Sequence, residues 1–182
     1  MEPAALSWHE YYPGWHEFYV MAGTASVTLA GLLFVALSLH IDALIHDTRE
    51  HLLQLARINL FSFLAVLLLS LEMLVPELPE RVAAVQMMAL GAVFLLIARK
   101  QMRWRPKTDH TGFTIMQMRR RTIVPLIGYV LIFLIGLLLA VFKVPTIMNL
   151  AVGAVGMLLG SALGASWDLL VRVARIKREE AS

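Results

Sequence analysis

The sequence predicts an all-α membrane protein, a polytopic bundle of five transmembrane helices with the N-terminus outside the cytoplasm and the C-terminus inside. Of the 182 residues, 59% are hydrophobic and only 16% are charged. The apolar residues form five long runs and do not alternate with polar ones. A hydrocarbon layer of roughly 30 Å takes about 20 helical residues to cross. We therefore expect a single membrane domain over residues 1–182.

Each run is predicted to be a helix, because a helix satisfies its own backbone hydrogen bonds in lipid. Prolines separate the runs and set their boundaries: Pro76 and Pro79 follow the second, and Pro145 divides the fourth from the fifth. Pro125 is expected in the first turn of the fourth helix, where its missing N–H costs little. The predicted spans cover residues 18–45, 58–75, 82–98, 123–142 and 147–171.

The remaining segments are polar or aromatic. A short duplication, Trp8-His9-Glu10-Tyr11-Tyr12 and then Trp15-His16-Glu17-Phe18-Tyr19, begins within residues 1–17 and ends two residues into the first predicted span. Because aromatic side chains prefer the headgroup level, we interpret residues 1–17 as an interfacial aromatic segment, with a metal or proton site at His16 and Glu17 as the alternative. Residues 99–121 form a basic cytoplasmic loop, and residues 172–182 form a cytoplasmic tail.

The orientation follows from the distribution of positive charge. Fourteen of the 16 lysine and arginine residues lie in the first loop, the third loop and the tail, which five crossings place on one side. Positive residues stay in the cytoplasm, so that side is internal. The other face carries six glutamates against two basic residues, a balance that attracts inorganic cations, whereas the basic face attracts anionic lipids of the cytoplasmic leaflet. The charge pattern indicates no nucleic-acid binding.

Several kinds of chemistry are excluded or not indicated. The chain has no cysteine, so it has neither disulfides nor thiolate metal sites. It also lacks phosphate-binding loops and nucleophile motifs. We therefore predict that it is not an enzyme and that it needs no cofactor.

The first predicted helix carries a line of polar and small residues, which we call the polar stripe. Steps of three and four residues place its members on one face, with hydroxyls and a glycine in the middle and carboxylates at both ends. One interpretation is close helix packing with hydrogen bonds between helices; the other is the wall of a pore shared by several subunits. The members are Glu17, Met21, Thr24, Thr28, Gly31, Val35, Ser38 and Asp42.

The fifth predicted helix carries a line of glycines, Gly153, Gly156, Gly160 and Gly164, which we call the glycine face. Small residues at this spacing allow the backbones of two helices to approach closely. Helix packing, within or between subunits, is therefore expected there. Gly128 and Gly136 of the fourth helix suggest packing more weakly.

Other polar residues have an ordinary explanation. The segment from His40 to His51 places Asp42, His46 and Glu50 on one helical face, which suits either a divalent metal or, as we expect, a hydrated salt-bridged turn; no metal site is predicted. Asn59, Glu72 and Gln86 lie in or near spans as partners for interhelical hydrogen bonds.

The basic loop ends in the run Arg119, Arg120 and Arg121. We expect these residues to bind anionic lipid, with docking of a cytoplasmic partner as the alternative. A third interpretation is that these residues bind nothing and only determine the orientation of the chain in the membrane.

Two stretches are similar to known families. Phe18–Ser38 resembles a group of small bacterial multi-pass membrane proteins, some labelled modulators of a membrane protease, which implies a bacterial inner membrane. Gly31–Leu37 is similar to the pore-lining first helix of the Orai calcium channels, and Leu74–Glu80 to the end of their second helix. The chain departs from Orai in its five spans, its opposite orientation and Leu39 at the selectivity position.

These observations predict a homo-oligomeric membrane pore or channel that conducts cations and is lined by the first helix. The small size of the protomer and the lack of inverted repeats favour an assembly over alternating access. The alternative is a non-catalytic adaptor or modulator of a larger membrane complex, such as a protease.

Overall fold

The computed structural model describes residues 7–39, 50–103 and 115–180. These residues form helices and short turns, without a strand among them. The helices are α1 (Trp8–Tyr11), α2 (His16–Leu39), α3 (Glu50–Met73), α4 (Glu80–Arg103), α5 (Ile115–Phe142) and α6 (Leu150–Glu180). Two 3₁₀ turns, Tyr12–Trp15 and Pro145–Asn149, precede α2 and α6. The all-helical prediction is confirmed.

Five of these helices are long and apolar enough to cross a membrane, as expected for a multi-pass membrane protein. The candidate spans are Trp8–Leu39, Ala56–Met73, Glu80–Gln101, Ile123–Phe142 and Pro145–Asp168. Several helices run further than the predicted spans at one end, although α3 stops at Met73 and α6 begins only at Leu150. In particular, α4 continues to Arg103 and α5 begins at Ile115, so both ends of the predicted basic loop are helical.

Pro125 lies inside α5, ten residues after its start. Its prediction as part of the first turn was therefore wrong. The reason is that the polar residues before it, including the arginine run, continue the helix beyond the apolar stretch that defined the predicted boundary.

The connections from α3 to α4 and from α5 to the 3₁₀ turn before α6 are short, and they lie at the prolines that separate the runs. Each contains one residue with left-handed backbone, Glu77 with φ 52° and Lys143 with φ 51°. A single left-handed residue reverses the chain sharply. Consequently α3 and α4 are antiparallel neighbours along the chain, and so are α5 and α6.

The helices pack around α3 and α5. α4 lies closely against α5, α6 contacts both α5 and α3, and α2 lies at the edge, mainly against α3. The interior is filled by large side chains that are almost completely buried: Tyr19, Phe63, Leu69, Met87, Ile132, Leu139 and Leu158. Of the five candidate spans, the one that contains α2 is the least covered by the rest of the bundle.

Candidate functional site

One face of α2 is buried against α3. The Ser26 hydroxyl, which has no exposed surface, donates a hydrogen bond to the Phe63 carbonyl oxygen at 2.5 Å. One turn away, a Cβ on Gly23 would lie 3.0 Å from the Ser70 Cβ. Close helix approach therefore uses the face of Gly23 and Ser26. Neither residue was predicted from the sequence, although two small side chains three residues apart could have indicated a packing face.

The polar stripe lies on the opposite face of α2. At about 100° of rotation per residue, Thr24 and Thr28 point roughly 160° away from Ser26. All seven described members of the stripe are exposed on the protomer, Met21 at 66% and Val35 at 58% among them. A Cβ on Gly31 would meet no atom within 4 Å. Asp42 lies outside the described residues.

The protomer leaves this stripe uncovered along the whole of α2 that the structure describes. The Ser38 hydroxyl donates to the Phe34 carbonyl oxygen of its own helix at 2.9 Å, a bond that Ser and Thr commonly make in helices. Hydroxyl and carboxylate oxygens suit hard cations as ligands. One α2 alone encloses nothing, so such a role needs several copies of the stripe facing each other.

The N-terminal end of α2 is fixed by the aromatic segment, Trp8 to Tyr19. The indole N–H of Trp8 donates to the Leu78 carbonyl at 2.7 Å, and the Tyr12 hydroxyl bonds the Met73 carbonyl at 2.6 Å. The Tyr11 hydroxyl lies 2.6 Å from Asn149 Oδ1. These bonds connect the aromatic segment to the turn between α3 and α4 and to the 3₁₀ turn before α6.

The two copies of the duplication pack differently. In the first, Trp8 is 7% exposed and stacks on Tyr12 with ring centroids 5.1 Å apart. In the second, Trp15 meets Phe18 edge-on at 5.4 Å, and Tyr19 is fully buried. The predicted interfacial segment is thus packed on the end of the bundle. His16 and Glu17, its alternative metal or proton site, are both exposed.

Polar side chains also join the helices in the interior. The amide of Asn59 in α3 donates to the Ser166 hydroxyl of α6 at 3.3 Å, and Ser62 lies 3.2 Å from the Tyr129 hydroxyl of α5. Asn59 therefore takes the predicted interhelical role. Buried oxygens of Gln86 and Glu72 have no described hydrogen-bond partner.

The glycine face of α6 is exposed, and a Cβ on any of its four glycines would meet no atom within 4 Å. Other glycines pack the protomer instead. A Cβ on Gly91 would lie 2.7 Å from the Phe133 nitrogen, and one on Gly136 would lie 2.7 Å from the Ala84 oxygen. The glycine face therefore lies outside the contacts within one copy, and its predicted contact between copies stays a prediction.

The remaining predicted residues are the arginine run and the segment that begins at His40. The run Arg119, Arg120 and Arg121 belongs to the first turns of α5, and its side chains lie outside the described set. The His40–Arg49 segment also lies outside it. Among the residues that the structure describes, no group of three or more His, Asp or Glu side chains could hold a metal ion.

Comparisons with protein-family models, with curated proteins and with solved structures found no match to this chain. The resemblances noted in Phe18–Ser38, Gly31–Leu37 and Leu74–Glu80 therefore stay predictions. The two uncovered faces and the charge distribution are the features of the chain that bear on its function.

Proposed function

We propose that this chain assembles side by side with copies of itself into a cation-conducting membrane pore lined by α2. The polar stripe carries the proposal: a helix of a membrane protein exposes hydroxyls and a carboxylate on the face that its own bundle leaves uncovered. Polar residues in spans usually face protein or water. Copies of α2 around an axis would give Thr24, Thr28 and Ser38 such surroundings.

The packed interior supports a pore between copies and not within one. Tyr19, Phe63, Leu69 and Ile132 are each 1% exposed or less, so these side chains fill the centre of the protomer. An ion path through one copy would have to displace them. A path along the stripe displaces nothing.

The charges at the outer end support cations as the conducted ions. Glu10, Glu17 and Glu77 are exposed at that end, and carboxylates at a pore mouth raise the local concentration of cations. Asp42 would supply the corresponding inner carboxylates.

The mass of the detergent-solubilised complex tests the proposal first. We expect a stable ring of four or more copies at several detergent concentrations, and a cation conductance when that ring is placed in a planar bilayer. A mass that corresponds to a monomer or dimer at all detergent concentrations would contradict the shared pore.

The second candidate is an adaptor that binds a larger membrane complex, such as a protease. The uncovered glycine face favours it, because such a face fits a helix of another protein as well as a second copy. Trp167, one turn beyond Gly164 and 68% exposed, extends the uncovered surface. An adaptor predicts no conductance from any variant, and loss of its partner when Arg119, Arg120 and Arg121 are neutralised.

We also propose insertion in a bacterial inner membrane with the N-terminus outside and the C-terminus in the cytoplasm. The absence of native cysteine makes this directly testable. In intact cells, Ser7→Cys should react with a membrane-impermeant maleimide, whereas Ser182→Cys should react only after the cells are permeabilised. The reverse pattern of labelling would show that the orientation is inverted.

A further inference from the structure

The turn between α3 and α4, residues 74–79, takes hydrogen bonds from the aromatic segment. The Trp8 indole N–H donates to the Leu78 carbonyl at 2.7 Å. The Tyr12 hydroxyl donates to the Met73 carbonyl, at the end of α3, at 2.6 Å. The turn contains two prolines, which supply no backbone N–H of their own. Because a buried carbonyl without a donor is costly, the aromatic segment completes the hydrogen bonding of this turn.

The aromatic segment continues directly into the half of α2 that packs best. The buried residues of α2 are Tyr19, Ala22, Gly23, Ser26 and Leu33. Four of these five lie at or before Ser26, so α2 is held to the bundle mainly by its N-terminal half. The aromatic segment and this half of α2 therefore share one continuous contact with the rest of the protomer. We call residues 7–26 the N-terminal unit.

The other four long helices are joined by contacts in which the N-terminal unit takes no part. The bond between Asn59 and Ser166 joins α3 to α6. A Cβ on Gly128 of α5 would lie 2.8 Å from the Leu158 side chain of α6, and Gly91 of α4 lies equally close to the backbone of α5. Such close packing between helices does not depend on α2. The helices α3 to α6 can therefore stay together when the N-terminal unit moves.

Two hydroxyls in the contact between α2 and α3 oppose its closure. Tyr19 is fully buried and Ser70 is 1% exposed, and neither hydroxyl has a hydrogen-bond partner among the described residues. Tyr19 lies one turn before Gly23 on the same face of α2, and a Cβ on Gly23 would lie 3.0 Å from the Ser70 Cβ. A buried hydroxyl without a partner destabilises the closed contact. Separation gives such a hydroxyl access to water or to a carbonyl of its own helix.

We infer that the N-terminal unit is a latch, which opens from α3 and the α3–α4 turn and closes on them as one body while α3 to α6 stay packed. The donors of Trp8 and Tyr12 favour the closed latch, and the unpartnered hydroxyls of Tyr19 and Ser70 favour the open one. The latch is a property of one protomer and does not depend on conduction, so it and the proposed function fail separately. In the proposed pore the latch carries Glu17, and its opening moves the carboxylates at that end of the polar stripe.

Thiol labelling of the full chain in detergent measures the opening, because the protein has no cysteine of its own. Ala22→Cys reports on the latch, since Ala22 is 4% exposed on the contact face of α2. Ala154→Cys, at a fully buried position of α6, reports on the rest of the bundle. A buried thiol reacts with methyl methanethiosulfonate only when its surroundings open. We expect the thiol at position 22 to react at least tenfold faster than the thiol at position 154.

Three Tyr→Phe variants give the decisive comparison, because each removes one hydroxyl and keeps the ring. Tyr12→Phe loses a donor to the α3–α4 turn and should speed labelling at position 22 about tenfold. Tyr19→Phe loses an unpartnered hydroxyl and should slow it about tenfold, and Ser70→Ala should act in the same direction. The control Tyr11→Phe loses an exposed bond to Asn149, for which water competes, and should change the rate less than threefold.

The rate at position 154 should stay the same in all of these variants, and far-UV circular dichroism checks that each keeps its helices. Equal acceleration at both positions in Tyr12→Phe would show that the N-terminal unit opens only with the whole bundle. Labelling at position 22 that is not slowed by Tyr19→Phe would show that its hydroxyl does not oppose closure. An effect of Tyr11→Phe as large as that of Tyr12→Phe would contradict the role of the α3–α4 turn. Each of these outcomes would overturn the latch.

Discussion

Gly136→Leu should destabilise the protomer severely, whereas Gly160→Leu should leave it folded. A Cβ on Gly136 would lie 2.7 Å from the Ala84 oxygen and 2.8 Å from the Met88 nitrogen. Both are backbone atoms of α4, so neither can rotate away. The two helices would have to separate, at a cost of about 3 kcal/mol or more, which is a large part of a typical stability of about 5 to 15 kcal/mol.

Gly160 provides the matched control because it is also a glycine, in the neighbouring helix α6. No atom of another helix lies within 4 Å of its Cβ position, and leucine favours a helix over glycine by somewhat less than 1 kcal/mol. Unfolding of both variants in detergent, followed by circular dichroism, measures the difference. Equal destabilisation would show that the glycine face packs inside the protomer after all.

The same Gly160→Leu protein reports on assembly. If the glycine face is a contact between copies, the leucine side chain separates the helices and the mass of the complex falls to that of smaller species. If the mass is unchanged, the copies meet elsewhere, and the uncovered face remains available to another protein. The stability of the variant therefore tests whether the glycine face packs inside the protomer, and the mass of its complex tests whether the face is a contact between copies.

Thr28→Leu should reduce cation conductance at least tenfold without changing the mass of the complex. In the proposed pore this position lies in the wall near the middle of α2, where a branched hydrocarbon side chain would narrow the path and exclude water. Its side chain is exposed on the protomer, so folding should be unaffected. Single-channel recording of the purified complex in a planar bilayer measures the effect.

Val27→Leu is the control for this change. Val27 is 52% exposed on the same helix, but it lies about 100° around from Thr28, so it should leave the conductance unchanged. Ser38→Leu, further along the stripe, should act like Thr28→Leu. A conductance that persists in both stripe variants would contradict the pore wall proposed for α2.

The interfacial segment shows how far a local pattern can be interpreted. The duplicated aromatic sequence predicted a segment at the headgroup level, and the structure packs it on the end of the bundle. The partners of Trp8 and Tyr12 are backbone carbonyls of Leu78 and Met73. Every residue has a backbone carbonyl, so the residue types at positions 73 and 78 could not predict these hydrogen bonds.

The sequence by itself determined the number, type and approximate position of the five long helices. Runs of hydrophobic residues bounded by prolines are local properties, and a helix in lipid satisfies its own backbone. The same reasoning identified the two faces that carry the proposals, because helical periodicity assigns a residue to a face without knowledge of its neighbours.

Only the tertiary structure decided which face of each helix is covered. Gly23 and Gly136 pack, whereas Gly31 and Gly160 do not, although all four are glycines in apolar helices. The difference depends on which backbone of another helix lies opposite, and that contact joins residues far apart in the chain. Helical periodicity fixes how the faces of one helix are arranged around its axis, and the packing of the whole bundle selects which of them turns inward.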